Sequence, residues 1–222
     1  AQMIQKASRV VIKVGTSVLT DAKSKKLSYV KVQAIAKQVA QIHKANRQVL
    51  VVSSGAIGAG MRSLGYKSRP HDLSKLQAAS AVGQGKLMHL YESAFSHQGF
   101  HAAQILLTRD DLHDRRRYLN AKATLSTLLS AGVIPVVNEN DTISTEEIRV
   151  GDNDQLAGLV AALAEADLLI LLSDVDGFCR GGRGTELIPV VTKVTAELER
   201  LAKGSGKATS TGGMKTKLQA AK

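Results

Sequence analysis

The sequence predicts an α/β fold, a three-layer αβα sandwich with a mostly parallel central sheet. Three observations carry that expectation. Short β-branched and aliphatic runs alternate with longer amphipathic stretches along the whole chain. The run DLLILL at 167–172 is continuously apolar, as in a strand covered on both faces. Polar and glycine-rich clusters follow the strand-like runs, KVGTSVLT the first, SSGAIGAG the second, NENDTIS the fourth and SDVDG the fifth. That placement suits a parallel sheet, which gathers ligands at the carboxyl ends of its strands.

The first strand is RVVIKV at 9–14, closed by Gly15-Thr16-Ser17. A helix follows over 28–45, with Val32, Ile35, Val39 and Ile42 on one face. QVLVV at 48–52 is the second strand and runs into Ser53-Ser54-Gly55, where glycines at 55, 58 and 60 start the next helix close against its neighbours. Residues 72–97 are helical, with Leu73, Leu76, Leu87, Leu90 and Ala94 on a common face; Gly83 and Gly85 either admit another backbone or bend the helix. The third strand covers 101–107, a helix 115–131, and VIPVV at 133–137 is the fourth strand. A helix over 152–166 aligns Leu156, Leu159, Val160 and Leu163 before the fifth strand at 167–172. Glycine-rich segments at 180–185 and 203–213 are expected to be mobile. No internal repeat or clear linker divides the chain, so residues 1–222 read as one domain.

Composition narrows the function. With 44% hydrophobic and 22% charged residues the chain is a folded globular protein, not a disordered or fibrous one. No apolar stretch reaches the length of a membrane span and AQMIQKASRV lacks signal-peptide architecture, so no membrane association is expected. The single cysteine, Cys179, has no disulfide partner within the sequence, which fits a reducing cytoplasm. The formal charge of +11 favours anionic partners. Aromatics are only 3%, the basic residues are scattered, and Arg115-Arg116-Arg117 is flanked by Asp110, Asp111 and Asp114. Small anions such as a nucleotide and an acid therefore suit the charge better than nucleic acid does.

Five clusters carry chemistry, and each has a plainer alternative. Lys13, one residue before the end of an apolar strand and followed by Gly15, can hold its ammonium over the sheet edge for a polyphosphate, or merely snorkel. No G-x-x-x-x-G-K-[ST] motif exists, so this is not a P-loop. Ser53-Ser54-Gly55 at a helix start can bind an anion, or act as a simple N-cap. Asn138-Glu139-Asn140-Asp141 and Gly151-Asp152-Asn153-Asp154 flank a short connection between a strand and a helix; their carboxylates and amides can grip an α-amino group and orient lysines, while Asp152 or Asn153 also suits an N-cap. A metal site of these acids is the weaker reading, since magnesium arrives with nucleotide phosphates. Ser173-Asp174-Val175-Asp176-Gly177 either lies near a nucleotide's adenine or ribose or is a β-turn. Thr211-Gly212-Gly213-Met214-Lys215-Thr216-Lys217 leads glycine-rich backbone into a helix, where phosphate can sit and Lys217 can reach transferring oxygens.

IKVGTSVLT, VVSSGAIGAG, AVGQGKLM, PVVNENDTIS, VGDNDQLAGLVA and GGMKTKLQAAK together resemble the amino acid kinase family, and within it the members that phosphorylate glutamate. The likeness runs from about Arg9 to Lys222, and the NEND–GDND pair and closing TGGM-x-TKLQAA are its most specific parts. The resemblance implies the amino acid kinase fold and ATP-dependent phosphorylation of the γ-carboxylate of L-glutamate to L-glutamyl 5-phosphate, the first step of proline biosynthesis. It implies that Ser54, Asp141 and Asn153 hold glutamate, and that Lys13, Lys217 and Asp154 are catalytic. ATP is implied to lie across Lys13, Gly15, Ser173, Asp174, Thr211, Gly212, Gly213, Met214, Lys215, Thr216 and Lys217, with Mg²⁺ carried by the nucleotide and no protein metal site. Feedback inhibition by proline and a homo-oligomer, dimer or tetramer, are implied as well.

The sequence departs from the family pattern in three places. After Asp174-Val175-Asp176-Gly177-Phe178 a segment with a tyrosine and a D-P-R-like motif is replaced by CRGGRGTE. The sequence stops inside a helical pattern at Lys222, so a kinase domain incomplete on its C-terminal side is expected. No RNA-modification-type (PUA) or reductase domain is expected within residues 1–222. Rival readings are a relative acting on N-acetylglutamate, aspartate or carbamate, a nucleoside monophosphate kinase of the same fold, a non-catalytic ligand-sensing domain, and a nucleic-acid binder.

Overall fold

Five strands built mainly from valine, leucine and isoleucine pair in parallel in the order β3-β4-β2-β1-β5. They are β1 (Arg9–Val14), β2 (Gln48–Val52), β3 (Ala102–Leu107), β4 (Ile134–Glu139) and β5 (Leu168–Leu172). The structure is a computed structural model and describes residues 5–144, 153–180, 186–203 and 213–222. Two of the expected glycine-rich stretches, at 181–185 and 204–212, lie outside the described residues. Parallel pairing requires crossovers, and helices supply them: α1 (Thr16–Leu19) and α2 (Tyr29–Lys44), α3 (Ala56–Ser63) and α4 (Leu73–Ser96), α5 (Arg109–His113) and α6 (Arg115–Ser130), then α7 (Asn153–Leu163). An antiparallel ribbon, β6 (Phe178–Cys179) with β7 (Leu187–Ile188), precedes α8 (Ala196–Lys203) and α9 (Met214–Ala221).

The helices start where side chains can satisfy exposed N–H groups. Ser28 accepts from Lys31 N, Asp72 from Lys75 N and Asp114 from Arg117 N, caps that stabilise by about 1 kcal/mol each. Thr108 and Asp111 form a reciprocal capping box on the short α5, an element the hydrophobic pattern does not announce.

The pleat divides the core. Val10, Ile12 and Val14 of β1, with Val49 and Val51 of β2, pack beneath Val32, Ile35 and Val39 of α2 and Leu87, Tyr91 and Phe95 of α4. The alternate residues, Val11, Leu50, Val52 and Val137, pack beneath Leu125 and Leu129 of α6 and Leu156, Ala157, Val160 and Leu163 of α7. Each such buried side chain contributes on the order of 1.5–3 kcal/mol.

Four details correct the sequence reading. Leu159 is exposed, because Asn153, Ala157 and Val160 complete the buried stripe of α7 and leave it off that face. Strand β4 runs two residues past the expected end, so Asn138 and Glu139 are strand residues. Both faces of β5 pack on core, yet every residue stays half-buried, because among the described strands only β1 flanks it. The β6–β7 ribbon and α8 are too short or too polar to have stood out in the pattern. Of the helix glycines, Gly60 and Gly83 form a backbone crossing of α3 on α4. A Cβ on Gly60 would lie 1.7 Å from the Ala79 carbonyl oxygen, and one on Gly83 would lie 1.8 Å from that of Ala56.

Gly83→Ala should therefore cost at least about 2 kcal/mol in denaturant unfolding, since backbone must move to admit the methyl group. Gly85→Ala, with nothing within 4 Å of the added carbon, should instead stabilise by about 0.5–1 kcal/mol. Equal effects at the two positions would refute the crossing.

Candidate active site

Because all five strands run the same way, their carboxyl ends form one edge. Lys13, Val52 and Val137 stand in register across β1, β2 and β4, and Ser53 and Asn138 come one residue later. Parity then sets direction. Lys13 shares the face of Val11 and reaches α7, whereas Ser53 and Asn138 share the face of Val51 and Val136 and reach α4.

On the α7 face, Asp154 stands in the first turn of the helix, where the N-terminal end of the helix dipole favours a carboxylate. Its side chain is fully enclosed, with 0% exposure. Lys13 Nζ lies 2.6 Å from Oδ1 and Lys217 Nζ lies 2.9 Å from Oδ2. Thr216 Oγ1 is 3.1 Å from the same Oδ2 and 2.7 Å from the Gly213 carbonyl. Burial pushes the Asp154 carboxyl up, but the Lys13 charge and hydrogen bond, with Lys217 behind them, hold it below the usual carboxylate value. Helix α9 can come this close because Gly158 of α7 has no side chain; a Cβ there would lie 2.8 Å from the Ala220 carbonyl oxygen. Met214 packs against Phe178, Ala202 and Leu218, which ties the start of α9 to the ribbon and α8.

The first two turns meet beside Lys13. A Cβ on Gly15 would lie 3.7 Å from Lys13 Nζ and 3.6 Å from the Leu172 carbonyl, where Ser173 and the exposed Asp174 leave β5. Gly55, with φ of +101°, begins α3 within reach of Thr16, and a β-carbon is poorly tolerated at that angle. Ser54 is half-buried at this junction.

On the α4 face a chain of amides runs across the edge. Asn153 Nδ2 donates to the Ser53 carbonyl oxygen and, at 2.8 Å, to Asn138 Oδ1. Asn138 Oδ1 also accepts from Glu139 N at 2.9 Å, and Asn138 Nδ2 donates to Gln84 Oε1 at 2.7 Å. Gln84 is 7% exposed, and its Nε2 is buried with no partner among the described residues, a state that costs about 1–3 kcal/mol where it persists in a folded protein. One turn before it on α4, Ser80 Oγ donates to Asp141 Oδ2 at 2.6 Å. Burial pushes the Asp141 carboxyl above its ordinary value, with the Ser80 hydrogen bond and the Arg69 charge opposing. Ser53 Oγ donates to Tyr91 OH at 3.0 Å, and burial drives the Tyr91 phenol well up. Gln84, Ser80, Glu139 and Asp141 share the wall of a cavity of about 330 Å³.

The structure thus brings Lys13, Asp154, Thr216 and Lys217 together, sets Asn153 into the amide chain and places Asp141 at the cavity. Lys215 is exposed, Gly213 caps α9 as backbone only, and Thr211 and Gly212 lie outside the described residues. The sequence reading gave no role to Ser80 or Gln84, and named Asn138 only as part of its polar cluster. A signal was present: Ser80 and Gln84, four apart, interrupt the buried stripe of α4 with polar side chains.

A family model described as the amino acid kinase family matches residues 8–222. The chain belongs to the amino acid kinase family. It is 52% identical over 224 residues to the glutamate 5-kinase of Geobacter sulfurreducens, which covers 99% of this chain and 60% of that protein. It is also 52% identical over 223 residues to the glutamate 5-kinase of Moorella thermoacetica, over 99% of this chain and 59% of that protein. The chain therefore spans about 60% of the length of these curated relatives. The fold is similar to that of carbamate kinase from Giardia lamblia bound to AMP-PNP, with a TM-score of 0.62 and 19% identity over 97% of this chain and 87% of the other. At that identity the likeness is one of fold.

The two buried acids have opposite pH signatures. The stability from Asp154 is complete above its ordinary value of 3.8 and is lost as pH falls through the lower folded value. The folded chain keeps a proton on Asp141 that the unfolded chain releases, so its contribution falls as pH rises from 3.8 through the raised folded value. Denaturant unfolding across the acid range should show Asp154→Asn losing about 3–5 kcal/mol near neutrality and flattening the acid limb. Asp141→Asn should steepen that limb. An unchanged limb in Asp154→Asn would remove its carboxylate from the ion group.

Proposed function

We propose that this chain transfers the γ-phosphoryl group of ATP to the side-chain carboxylate of L-glutamate, giving L-glutamyl 5-phosphate and ADP. The observation that carries this reading is the buried Asp154 carboxylate holding the ammonium groups of Lys13 and Lys217 at 2.6 and 2.9 Å on the carboxyl edge of the sheet. The identity to glutamate 5-kinases across nearly the whole chain supports the choice of acid.

The acceptor needs no general base, because a carboxylate is ionised near neutral pH. Its oxygen attacks the γ-phosphorus, the bond to the β,γ-bridging oxygen breaks, and ADP carries that electron pair away. The obstacle is repulsion between two anions and the charge spread over the transferring oxygens. Lys13 and Lys217 would meet that charge from two sides, and Asp154 holds the two cations together before the nucleotide arrives. The helix starts at Gly55 and Gly213 add free N–H donors for phosphate.

Mg²⁺ would arrive on the nucleotide's phosphates rather than in a protein cage. When bound, Mg²⁺ would neutralise phosphate charge. Asp141 would take the α-ammonium of glutamate, with Ser54 toward the reacting carboxylate and Asn153 orienting the wall between them. The rest of the reading is a single kinase domain over residues 1–222 acting first in proline biosynthesis in the cytoplasm, proline as feedback inhibitor at the glutamate pocket, and a homo-oligomer.

Coupled ADP release with MgATP tests the proposal, comparing glutamate, aspartate and N-acetylglutamate, with hydroxylamine trapping the acyl phosphate. Turnover with glutamate and a γ-glutamyl hydroxamate are expected; turnover with either other acid alone would overturn the substrate. Lys217→Ala should lower kcat by about 100-fold or more with little change in the KM for glutamate. Asp141→Ala should raise that KM chiefly. An unaffected kcat in Lys217→Ala would remove it from the transition state.

A further inference from the structure

We propose that Gln84 is a specificity-determining residue whose side-chain Nε2 donates a hydrogen bond to the α-carboxylate of the amino-acid substrate, an inference that rests on the glutamate reading above. The orientation of each amide is set by a backbone group that can play only one role. The Ser53 carbonyl can only accept, so the Asn153 nitrogen faces it and the same nitrogen donates on to Asn138 Oδ1. The Glu139 N–H can only donate, so Asn138 presents its oxygen to that side and its nitrogen to Gln84. Gln84 must therefore turn Oε1 toward Asn138, and Nε2, without a partner among the described residues, ends a one-way chain. Reversing the Gln84 amide would set two N–H₂ groups against each other.

The cavity tells what this donor awaits. Its lining includes Asp141, Glu139 and Gln84. Ser80, one helical turn from Gln84, binds Asp141 at 2.6 Å, so donor and carboxylate are neighbours. An α-amino acid carries its own acceptor and cation on a single carbon: the carboxylate matches Gln84 and the ammonium matches Asp141. The side-chain carboxylate is the wrong partner for Gln84, because Lys13 and Lys217 gather about Asp154 on the α7 face, whereas Gln84 belongs to α4 on the other. Binding at both points lets the side chain extend toward the lysines and discriminates against acids that lack the α-carboxylate.

The test compares L-glutamate with 4-aminobutyrate, the same molecule without its α-carboxylate, by calorimetry on the full chain and on Gln84→Met. Wild type should prefer glutamate by about 10–100-fold, the range for a hydrogen bond to a charged group, and Gln84→Met should abolish most of that preference by weakening glutamate alone. The KM for ATP should not move. A preference that survives in Gln84→Met, or an equal loss for both ligands, overturns the assignment and leaves Gln84 a packing residue. Should Gln84→Met fail to fold, Gln84→Glu keeps the Oε1 acceptor for Asn138 and makes the same comparison. On the wild-type chain, the Gln84 side-chain amide resonance should shift with glutamate and stay in place with 4-aminobutyrate; no shift with glutamate overturns the proposal. Glutamate turnover without a Gln84 effect sinks only this inference, whereas absence of both glutamate binding and turnover sinks the substrate reading and this inference with it.

Discussion

The carboxyl edge of this protein is organised around one buried carboxylate. A lone charge enclosed as fully as Asp154 would be prohibitively destabilising, and the two ammonium groups at 2.6 and 2.9 Å offset that cost. The same contacts oblige β1 and α9, from opposite ends of the sequence, to meet at the start of α7. Gly158 supplies the clearance that lets α9 do so. On the proposed reading the arrangement would also ease polyphosphate binding. Two lysines close together repel, and the carboxylate between them would keep both pre-positioned for phosphate oxygens.

Strand pleating gives the edge its division of labour. Adjacent strand residues point to opposite layers, so Lys13 goes to α7 and the positions following Val52 and Val137 go to α4. The lysine pair about Asp154 collects on one side of the sheet, and amides and hydroxyls, with the Asp141 carboxyl, on the other. Asn153 bridges the two because it is the neighbour of Asp154 on α7 yet donates to Ser53 and Asn138. A one-residue slip of β1 would send Lys13 into the aliphatic layer beneath α2, which is why register matters more here than local helix propensity.

Polar groups inside α4 show how such a site is both hidden and visible. Ser80 and Gln84 occupy positions that the helical period assigns to the core, among Leu76, Ala79, Leu87 and Tyr91. Buried polar groups are normally hydrogen-bonded, and Ser80 Oγ and Gln84 Oε1 find their partners far away in sequence, in Asp141 and Asn138, while Gln84 Nε2 has none among the described residues. A reader of the sequence sees the interruption of the stripe but not its partners. The polar clusters after the strands were easier, because every parallel strand ends on the same edge whatever its order in the sheet.

The sequence by itself determined the alternation of strands and helices, four of the strands to within about a residue, the helix starts at Ser28 and Asp72, and the candidacy of Lys13, Asp154 and Lys217. These follow from local periodicity, capping chemistry and the residues available after each strand, none of which depends on distant neighbours. The tertiary structure decided the sheet order β3-β4-β2-β1-β5, with β5 outermost among the described strands, the extension of β4 through Glu139, the burial of Ser80 and Gln84, and the crossings at Gly60, Gly83 and Gly158. It also decided that Asp154, rather than Asp141 or Glu139 of the preceding polar cluster, lies between the two lysines. Each of those outcomes depends on which surfaces meet across long stretches of chain, and one-dimensional periodicity carries the face a residue occupies but not the identity of what is packed against it.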